Sequence, residues 1–435
     1  MLEEVTITKL VHGGQGLGEL ADGRKVFVWN ALPGEIVLVR ITKNKRSYAE
    51  AVAEKVILAS PDRIVPVEDT FLATSPWQIM TCKAENRAKI EIICDLFRHE
   101  KINCPLPNKT VARGSEYHYR NKMEYSFCGD KDGLHLALHE RRSHGKQPVQ
   151  GSALAMPAVD AAANVMLAEL RRLQVRANDL KTLVIRCDQE GTAAASLFVK
   201  PSNFPRLKIP YQVEPSCAED KPTGTPRGLR VYHSNPKSPT SVATKLLYEL
   251  GDCELNDELL GKSFHYNVDS FFQVNVPVYE EALKSIRSHS IGDPVDMYAG
   301  VGTIGLSVAQ KKVTLVEHDP VTATMARKNI SCMIASGSVL DAEVVEAPTE
   351  KVLEYITGKE TVIFDPPRAG LHPKVVERCL DVLPQQIIYL SCNPATQARD
   401  LAVLQEKYVI SRIEVFNFFP RTPHIETLAV LTLNS

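Results

Sequence analysis

Val295-Asp296-Met297-Tyr298-Ala299-Gly300-Val301-Gly302-Thr303-Ile304-Gly305 is the stretch that decides the fold of the C-terminal part of this chain. It predicts a strand, a glycine loop and a helix that continues to Gln310. The next predicted strand, residues 313–316, ends at Glu317, which follows Asp296 by 21 residues. An acidic residue at about this spacing accepts hydrogen bonds from a ribose diol. The stretch therefore predicts a nucleoside cofactor, although its G-x-G-x-x-G spacing alone does not exclude NAD.

The same order of strand, loop and helix is repeated from residue 293 onward, which predicts a doubly wound α/β domain. Predicted strand 361–364 runs into Asp365-Pro366-Pro367-Arg368, and strand 386–390 runs into Ser391-Cys392-Asn393-Pro394. Ligands bind at such strand ends in open parallel sheets, so Cys392 is a candidate nucleophile. The alternative for a single free cysteine is a small buried hydrophobe. The Asp365 loop resembles those of S-adenosylmethionine methyltransferases that act on nucleic-acid bases.

The N-terminal part has a different pattern. Short alternating strands with glycine turns over residues 4–57 predict a small closed β-barrel. Its bends carry basic residues, including Arg40 and Lys43, which are candidate RNA backbone contacts, with a solvated turn as the alternative. Residues 117–122 interleave aromatic and basic side chains around Arg120, a mixture that stacks on bases and pairs with phosphates.

Composition limits the class of protein. The 435 residues leave room for two or three domains, and the net charge of -1 argues against nonspecific coating of nucleic acid. We expect no membrane span, because no apolar run is long enough. The N-terminus shows no signal peptide, and ten cysteines without a CxxC pair indicate reduced thiols. These features predict a cytoplasmic protein, which we expect to be a monomer.

Five ordered motifs make nearly the whole chain resemble the RNA 5-methyluridine methyltransferases, which methylate C5 of uridine in transfer or ribosomal RNA. The N-terminal barrel resembles the TRAM domain, an RNA-binding module that many members carry. The resemblance predicts a barrel over 1–58, a central α+β RNA-binding domain over 59–266 and a Rossmann-like methyltransferase domain over 267–435. Helix 84–98 is expected to pack on the last of these. The motifs are Phe271-Phe272-Gln273-Val274-Asn275, Asp296 to Thr303, Asp365 to Gly370, Ser391 to Pro394 with Arg399-Asp400-Leu401, and Phe419 to Thr427.

The resemblance also implies roles for single residues. Cys392 matches a thiolate that adds to C6 of uracil, and Glu426 matches the general base that removes the C5 proton. Asp365 is implied to contact S-adenosylmethionine and to lie close to the target base. Phe271 is implied to pack against a flipped uracil, although a core role for Phe271 or Phe272 stays open. The other implied cofactor contacts are Gln273, Tyr298, Gly300, Gly302, Thr303 and Glu317.

The nucleophile has a chemical requirement. A free thiol with a pKa near 8.5 is only a few per cent thiolate at pH 7. We therefore expect nearby positive charge or hydrogen-bond donors to lower the pKa of Cys392.

Two of the residues above also have an alternative structural role. Tyr298 could belong to the core, and Glu426, taken without the motifs around it, would be interpreted as an exposed acid before the last strand.

The sequence departs from the family pattern at two places. Many members hold an iron–sulfur cluster with four cysteines, whereas here Ser75 and Ser152 stand at the matching ligand positions and Cys82 is displaced. A hydroxyl is a poor substitute for a thiolate toward iron, so no cluster and no metal are expected. Pro348 stands where an Asp or Asn usually meets the adenine, so another residue or the backbone has to hold that edge.

Competing functions make different demands on the sequence. RNA cytosine-C5 methyltransferases place their nucleophile directly after the Asp-Pro motif, where this chain has Arg368. An NAD oxidoreductase leaves Cys392 and Glu426 unexplained. A noncatalytic RNA-binding protein on this fold predicts degenerate catalytic positions. The preferred hypothesis is therefore a uridine-C5 methyltransferase, and the barrel favours ribosomal RNA over transfer RNA as its substrate.

Overall fold

The computed structural model describes residues 2–141, 145–209, 224–238, 241–339 and 341–434. These residues form four β-sheets with helices packed on two of them. Within the described ranges, no helix combines the length and the apolar character that crossing a bilayer requires.

The first sheet is a small barrel. Its strands pair in the order β1-β5-β6-β4-β3-β2, and the sheet curls until β1 lies against β3. The approach depends on Gly16 and Gly18, because a Cβ at either position would overlap the side chain of Ile7 or Val5. Alternate residues of the strands fill the interior. The six strands, β1 to β6, are Glu3–Thr6, Lys9–Leu10, Gly16–Glu19, Lys25–Trp29, Ile36–Asn44 and Tyr48–Leu58.

A helical segment and the central sheet follow. The central sheet has the order β10-β9-β8-β11-β12-β13-β14, and α3 packs on it through the fully buried Val159 and Met166. The elements of the helical segment are α1 (Phe71–Thr74), α2 (Cys82–His99) and β7 (Thr110–Val111). Those of the central sheet are β8 (Lys122–Asp130), β9 (Gly133–His139), β10 (Lys146–Val149), α3 (Pro157–Arg172), β11 (Leu180–Cys187), β12 (Ala193–Val199), β13 (Gly228–His233) and β14 (Lys245–Gly251).

The C-terminal part is a doubly wound sheet that follows a two-stranded hairpin. Its order is β19-β18-β17-β20-β21-β23-β22-β7, with β17 to β21 parallel and β23 antiparallel between β21 and β22. The hairpin strands are β15 (Glu254–Leu259) and β16 (Lys262–Asn267). The remaining elements are α4 (Val276–His289), β17 (Pro294–Asp296), α5 (Thr303–Val308), β18 (Lys312–Glu317), α6 (Pro320–Ala335), β19 (Asp341–Glu346), β20 (Thr361–Phe364), α7 (Pro373–Val382), β21 (Gln386–Ser391), α8 (Pro394–Leu404), β22 (Tyr408–Phe416) and β23 (Glu426–Leu433).

Helix α2 and strand β7 pack with this last sheet although they precede the central sheet in the chain. The Thr81 side chain caps α2 by accepting a hydrogen bond from the Ala84 N–H. The apolar face of α2, which includes Ile93 and Phe97, shares one core with β21, β22 and α8. Strand β7 adds to the sheet edge, with Thr110 paired in parallel to Val415. The C-terminal sheet is therefore completed by residues 82–111, which precede the central sheet in the chain.

Candidate active site

A cavity of about 1000 Å³ lies at the carboxyl ends of β17, β18, β20 and β21 and is walled on one side by the central sheet. This is the edge where open parallel sheets bind ligands. Most of the residues singled out from the sequence line it, but Gly302, Arg40 and Lys43 do not. Those that do are Arg120, Phe271, Gln273, Tyr298, Gly300, Thr303, Glu317, Asp365, Cys392 and Glu426.

The glycine loop is braced by two acids. The Gly305 N–H donates to Asp296 Oδ2 (2.9 Å), and the Gly300 N–H donates to Glu317 Oε2 (2.9 Å). Gly302 has φ 88°, and a Cβ there would meet Leu306 and Leu315, so this residue supports the loop from behind. At Gly300, φ is 58° and a Cβ would meet nothing within 4 Å, which leaves open space beside the loop backbone. The loop therefore offers a bare backbone to a ligand, as a nucleoside cofactor requires.

Cys392 lies in the two-residue connection between β21 and α8. Asn393 caps α8 by accepting from the Ala395 N–H (3.3 Å), and its Nδ2 donates to the Arg368 carbonyl (2.8 Å). Strands β21 and β23 pair Leu390 with Leu428 and Ser391 with Thr427. Cys392 follows Ser391 and Glu426 precedes Thr427, so the two residues lie at the same end of this strand pair, and both line the cavity. The structure thus brings the two together although 34 residues separate them in sequence.

The Asp365 loop is held in place from α8. The Leu371 N–H donates to Asp400 Oδ2 (2.9 Å), and Arg399 Nη2 donates to the Ala369 carbonyl (3.1 Å). This explains the Arg399-Asp400 pair that accompanies the cysteine motif. Strand β20 lies beside β21 in parallel, so Asp365 and Cys392 emerge at the same end of the sheet.

The two acids at this edge resist ionisation. Glu426 is 1% exposed, and neither of its carboxylate oxygens has a hydrogen-bond partner among the described residues. Burial raises the pKa of Glu426 well above its usual range, and the charge of Asp365 adds to the shift. Burial likewise raises the pKa of Asp365, with a further contribution from Asp296. Because each added negative charge in this site is costly, both carboxyl groups keep their protons to a higher pH than free carboxyl groups do.

The same surroundings act on the thiol. Burial, together with the charges of Glu426 and Asp365, raises the pKa of Cys392 to about 12, and Arg368 acts in the opposite direction. The expectation that positive charge lowers this pKa is wrong for the protein alone. Burial is the largest cause, and the two acids, neither of which is near Cys392 in sequence, add to it. Cys392 is therefore a neutral thiol at pH 7 until a bound group changes its surroundings.

The two phenylalanines of the 271–275 motif have different surroundings. Phe272 is buried and stacks on Tyr266 with ring centroids 4.1 Å apart, whereas Phe271 is 63% exposed and lines the cavity. The central sheet anchors the loop, since Arg186 donates to the Phe272 carbonyl (3.2 Å) and Asn121 Nδ2 to the Gln273 carbonyl (3.1 Å). Phe271 is therefore free to contact a ligand, and Phe272 takes the core role.

Tyr298 lies between the cavity and the core. It lines the cavity, and its ring meets Phe364 in an edge-on contact with centroids 6.4 Å apart. Pro348 also lines the cavity, followed by Thr349 and Glu350. The Thr349 hydroxyl donates to the Met297 carbonyl, so it is already engaged.

The basic residues of the barrel lie elsewhere. Arg40 and Lys43 lie on β5 rather than in a bend, and neither lines the cavity. Each faces an acid on β6, with Arg40 Nε 2.6 Å from Glu54 and Lys43 Nζ 3.3 Å from Glu50. These basic residues have no acid beside them in sequence, because the acidic partner of each follows it by more than six residues.

The positions that match cluster ligands hold a hydrogen-bonded polar network. Glu68 accepts from Ser75 (3.3 Å), from Gln78 Nε2 (3.0 Å) and from the Ala153 N–H (2.8 Å), which joins the segment before α2 to the loop that contains Ser152. In the described part of the chain, no three His, Cys, Asp or Glu side chains group so as to hold a metal. Hydroxyl, amide and carboxylate donors of this kind do not fit an iron–sulfur cluster.

The cavity residues that were not identified from the sequence include Arg186, Tyr279 and His424. Arg186 is buried on β11, Tyr279 is buried on α4, and His424 precedes Glu426 by two residues. Burial lowers the pKa of His424 to about 3, so its ring is neutral. The signal for His424 was its place inside the last motif. Arg186 and Tyr279 carried no sequence signal, because only strand pairing and helix packing bring them to the cavity.

The chain is similar to known proteins in both sequence and structure. A family model described as tRNA (Uracil-5-)-methyltransferase matches residues 241–434, and one described as TRAM domain matches residues 3–53. A Thermotoga maritima protein named as an uncharacterized RNA methyltransferase is 30% identical over 454 residues, covering 99% of both chains. A Lactobacillus johnsonii protein of the same description is 29% identical, covering 98% of this chain and 97% of its own.

Among solved structures, the Pyrococcus abyssi tRNA (uracil-54, C5)-methyltransferase in complex with S-adenosyl-L-homocysteine superimposes with a TM-score of 0.74. The two chains are 23% identical, and the match covers 99% of this chain and 100% of the other. The predicted fold class is confirmed by this match and by the TRAM model: a β-barrel, a central α+β domain and a Rossmann-like C-terminal domain.

Proposed function

Because the chain belongs to the tRNA (uracil-5-)-methyltransferase family of RNA methyltransferases, we propose that it methylates C5 of a uridine in RNA with S-adenosylmethionine as the methyl donor. The observation that carries the proposal is the meeting of Cys392, Asp365 and Glu426 in one cavity beside the glycine loop. A nucleophile, an acid at the end of β20 and a base are the groups that methylation of a pyrimidine C5 needs.

The mechanism follows from the weak nucleophilicity of C5. The thiolate form of Cys392 adds to C6 of the uracil, and the π electrons of the C5–C6 double bond shift to give an enolate over O4, C4 and C5 that is nucleophilic at C5. Bound S-adenosylmethionine supplies an electrophilic methyl group. After C5 has taken up the methyl group, Glu426 removes the C5 proton, the C5–C6 double bond reforms and Cys392 leaves. Glu426 must be ionised at that step, and its burial near Asp365 makes it a strong base when it is.

The cofactor is assigned to the glycine loop and the residues around it. Glu317 accepts from the ribose diol, and Gln273, Tyr298, Thr303 and Asp365 complete the contacts. Gly300 and Gly302 shape the loop. Because Thr349 is engaged and Pro348 has no polar side chain, Glu350 or the backbone holds the adenine edge.

The Glu317→Ala variant tests the cofactor assignment. We expect its affinity for S-adenosylmethionine to fall roughly 10–100-fold, since hydrogen bonds to a charged acceptor contribute about 1.5–3 kcal/mol. Calorimetric titration measures the effect. Glu346→Ala is a matched control, because Glu346 is the register partner of Glu317, pairs with Arg327 and does not line the cavity. Equal losses in both variants would contradict the assignment.

The pKa directions predict the pH dependence. Burial raises the pKa of both Cys392 and Glu426, so the reactive thiolate and carboxylate both become more abundant as pH rises. We expect kcat/KM for RNA, which reports the ionisation of the free enzyme, to increase from pH 6 to pH 9 rather than to peak near pH 7. Rates measured at RNA concentrations below KM check this. A rate that falls across this range would contradict the assignment of Glu426 as base.

RNA is assigned to the open side of the cavity. Phe271 packs against the target uracil, which must be flipped or single-stranded so that C5 and C6 are both accessible. Arg120, whose Nε lies buried without a partner among the described residues, lies across the cavity and pairs with the RNA. The barrel over 1–58 and the central domain over 59–266 bind flanking RNA, with Arg40 and Lys43 exchanging their acidic partners for phosphate. Ribosomal RNA is favoured over transfer RNA.

One experiment decides the reaction. The protein is incubated with methyl-labelled S-adenosylmethionine and separately with ribosomal and transfer RNA, and the digested RNA is analysed for its labelled nucleoside. We expect 5-methyluridine, with more label in ribosomal RNA. Label found only in 5-methylcytidine would replace the proposal with a cytosine-C5 methyltransferase, and no label with either RNA would favour a noncatalytic RNA-binding role.

A further inference from the structure

The barrel touches the segment that leads into Glu426. We call residues 12–15 the barrel turn and residues 417–425 the Glu426 arm. Gly14 of the turn lies against Pro423 of the arm so closely that a Cβ on Gly14 would overlap the proline ring. The Gly14 carbonyl also accepts a hydrogen bond from Trp77 Nε1 (3.0 Å). The turn is therefore packed against Pro423 and hydrogen-bonded to Trp77.

Besides the direct contact of Gly14 with Pro423, Trp77 forms an indirect connection between the turn and the arm. It is 1% exposed, and its backbone N–H donates to the Arg421 carbonyl of the arm (3.1 Å). One buried side chain thus bonds to the barrel while its own backbone bonds to the arm. A displacement of the turn would act on Pro423 directly and on Arg421 through Trp77.

The other side of the arm is fixed by a buried ion pair on α2. Glu85 and Lys89 lie 2.9 Å apart with both side chains fully buried. Asn417 Nδ2 donates to Glu85 Oε1 (3.0 Å), Lys89 Nζ donates to Asn417 Oδ1 (2.6 Å), and the Arg421 N–H donates to Glu85 Oε2 (2.9 Å). A buried pair with all partners in place holds one geometry strongly. The arm is therefore clamped between α2 and the barrel turn.

The clamp matters because, among the described residues, no hydrogen bond to its carboxylate orients the base. Its backbone is held by the pairing of Glu426 with Phe416 of β22 and by the arm that leads into it. Both oxygens of Glu426 are without a hydrogen-bond partner in the described residues, so the position of the carboxylate depends on the backbone that carries it. Pro423 precedes Glu426 by only three residues. We propose that the barrel turn is a positioning element for the catalytic base, acting through the contact of Gly14 with Pro423. This proposal rests on the proposed function and assigns the barrel a role besides RNA binding.

The reaction order gives the proposal a specific signature. Glu426 acts after the methyl group has been transferred, when Cys392 is still bonded to C6. A displaced base slows proton removal and elimination, so the methylated covalent adduct of Cys392 and RNA persists. Weaker RNA binding alone would instead raise KM and leave less adduct.

Gly14→Ala and Gly13→Ala form a matched pair. Gly14 and Gly13 both have a left-handed backbone, with φ of 96° and 94°, so an alanine strains the backbone of the turn equally at either position. A Cβ at Gly13 meets nothing within 4 Å, whereas one at Gly14 meets Pro423. We expect Gly14→Ala to lower kcat roughly 10–100-fold, as a displacement of about 1 Å can, with KM for RNA within about twofold and more adduct on a denaturing gel. Gly13→Ala should keep the wild-type kcat.

Three outcomes would overturn the proposal: equal kcat in the two variants, a change in KM alone, or a lower kcat without added adduct. If Gly14→Ala does not fold, as judged by its thermal transition, Trp77→Phe decides, because it keeps an aromatic side chain and removes the Nε1–H that bonds to the Gly14 carbonyl. A decrease in kcat with added adduct supports the proposal there, and wild-type kcat overturns it. Failure of the proposed function is distinguishable, since the wild-type protein would then form no 5-methyluridine.

Discussion

Cys392→Ala is expected to abolish methyl transfer to RNA, lowering the rate at least about 10⁴-fold. Among the described residues that line the cavity, Cys392 is the only thiol, so no neighbour can replace it. Without addition at C6, the C5 atom is too weak a nucleophile to accept the methyl group. Transfer of labelled methyl from S-adenosylmethionine to RNA measures the loss. The variant should fold normally, because removing a partly exposed thiol leaves little empty volume.

Two controls separate the chemistry from other effects. Cys332→Ala removes an exposed thiol on α6 away from the cavity and should keep full activity. Calorimetric titration should show that Cys392→Ala still binds S-adenosylmethionine within about threefold of the wild-type affinity, since the glycine loop is untouched. Activity of more than a tenth of the wild-type rate in Cys392→Ala would rule out the covalent mechanism.

Glu426→Gln is expected to trap the enzyme on its RNA. Glutamine has the same shape but cannot accept the C5 proton, so the reaction should stop after methyl transfer with Cys392 still bonded to C6. We expect turnover to fall roughly 10²–10⁴-fold, the usual contribution of a general base, and one methyl group to be transferred per enzyme. A denaturing gel should show labelled RNA in covalent complex with the protein, and mass spectrometry should place the label on the peptide that contains Cys392.

The double variant Cys392→Ala, Glu426→Gln provides the control, because it should form no covalent complex at all. Normal turnover by Glu426→Gln would assign the base to another group, of which Asp365 is the nearest in electrostatic effect. A slow reaction without any covalent complex would indicate that Glu426 acts before methyl transfer rather than after it.

What the sequence could predict depended on how local each feature is. The glycine loop and the ends of β20 and β21 were predictable, because a strand, a turn and the residue after it are encoded within a few positions. Strand β20 (Thr361–Phe364) was predicted to the residue, whereas β18 (Lys312–Glu317) extends one residue beyond its predicted range at each end. The closeness of Cys392 to Glu426 followed only from the family resemblance.

Features that depend on distant partners could not be predicted. The pKa of Cys392 goes up rather than down because the thiol is buried and because two acids from other parts of the chain share its site. Arg40 and Lys43 pair with acids that only the register of β5 and β6 brings opposite them. The contacts of Glu85 with Arg421 and of Gly14 with Pro423 join residues more than 300 positions apart, and no local pattern encodes them.

Strand β7 and helix α2 determine where the catalytic unit begins. The match to the family model starts at residue 241. The C-terminal sheet, however, has Thr110–Val111 as its edge strand, and helix Cys82–His99 covers one apolar face of this sheet. A truncated chain starting at residue 241 would leave β22 as an open edge and expose that face, a combination that favours aggregation. The catalytic half is therefore not a module that evolution or engineering can transplant alone, because any chimera has to carry residues 82–111 with it.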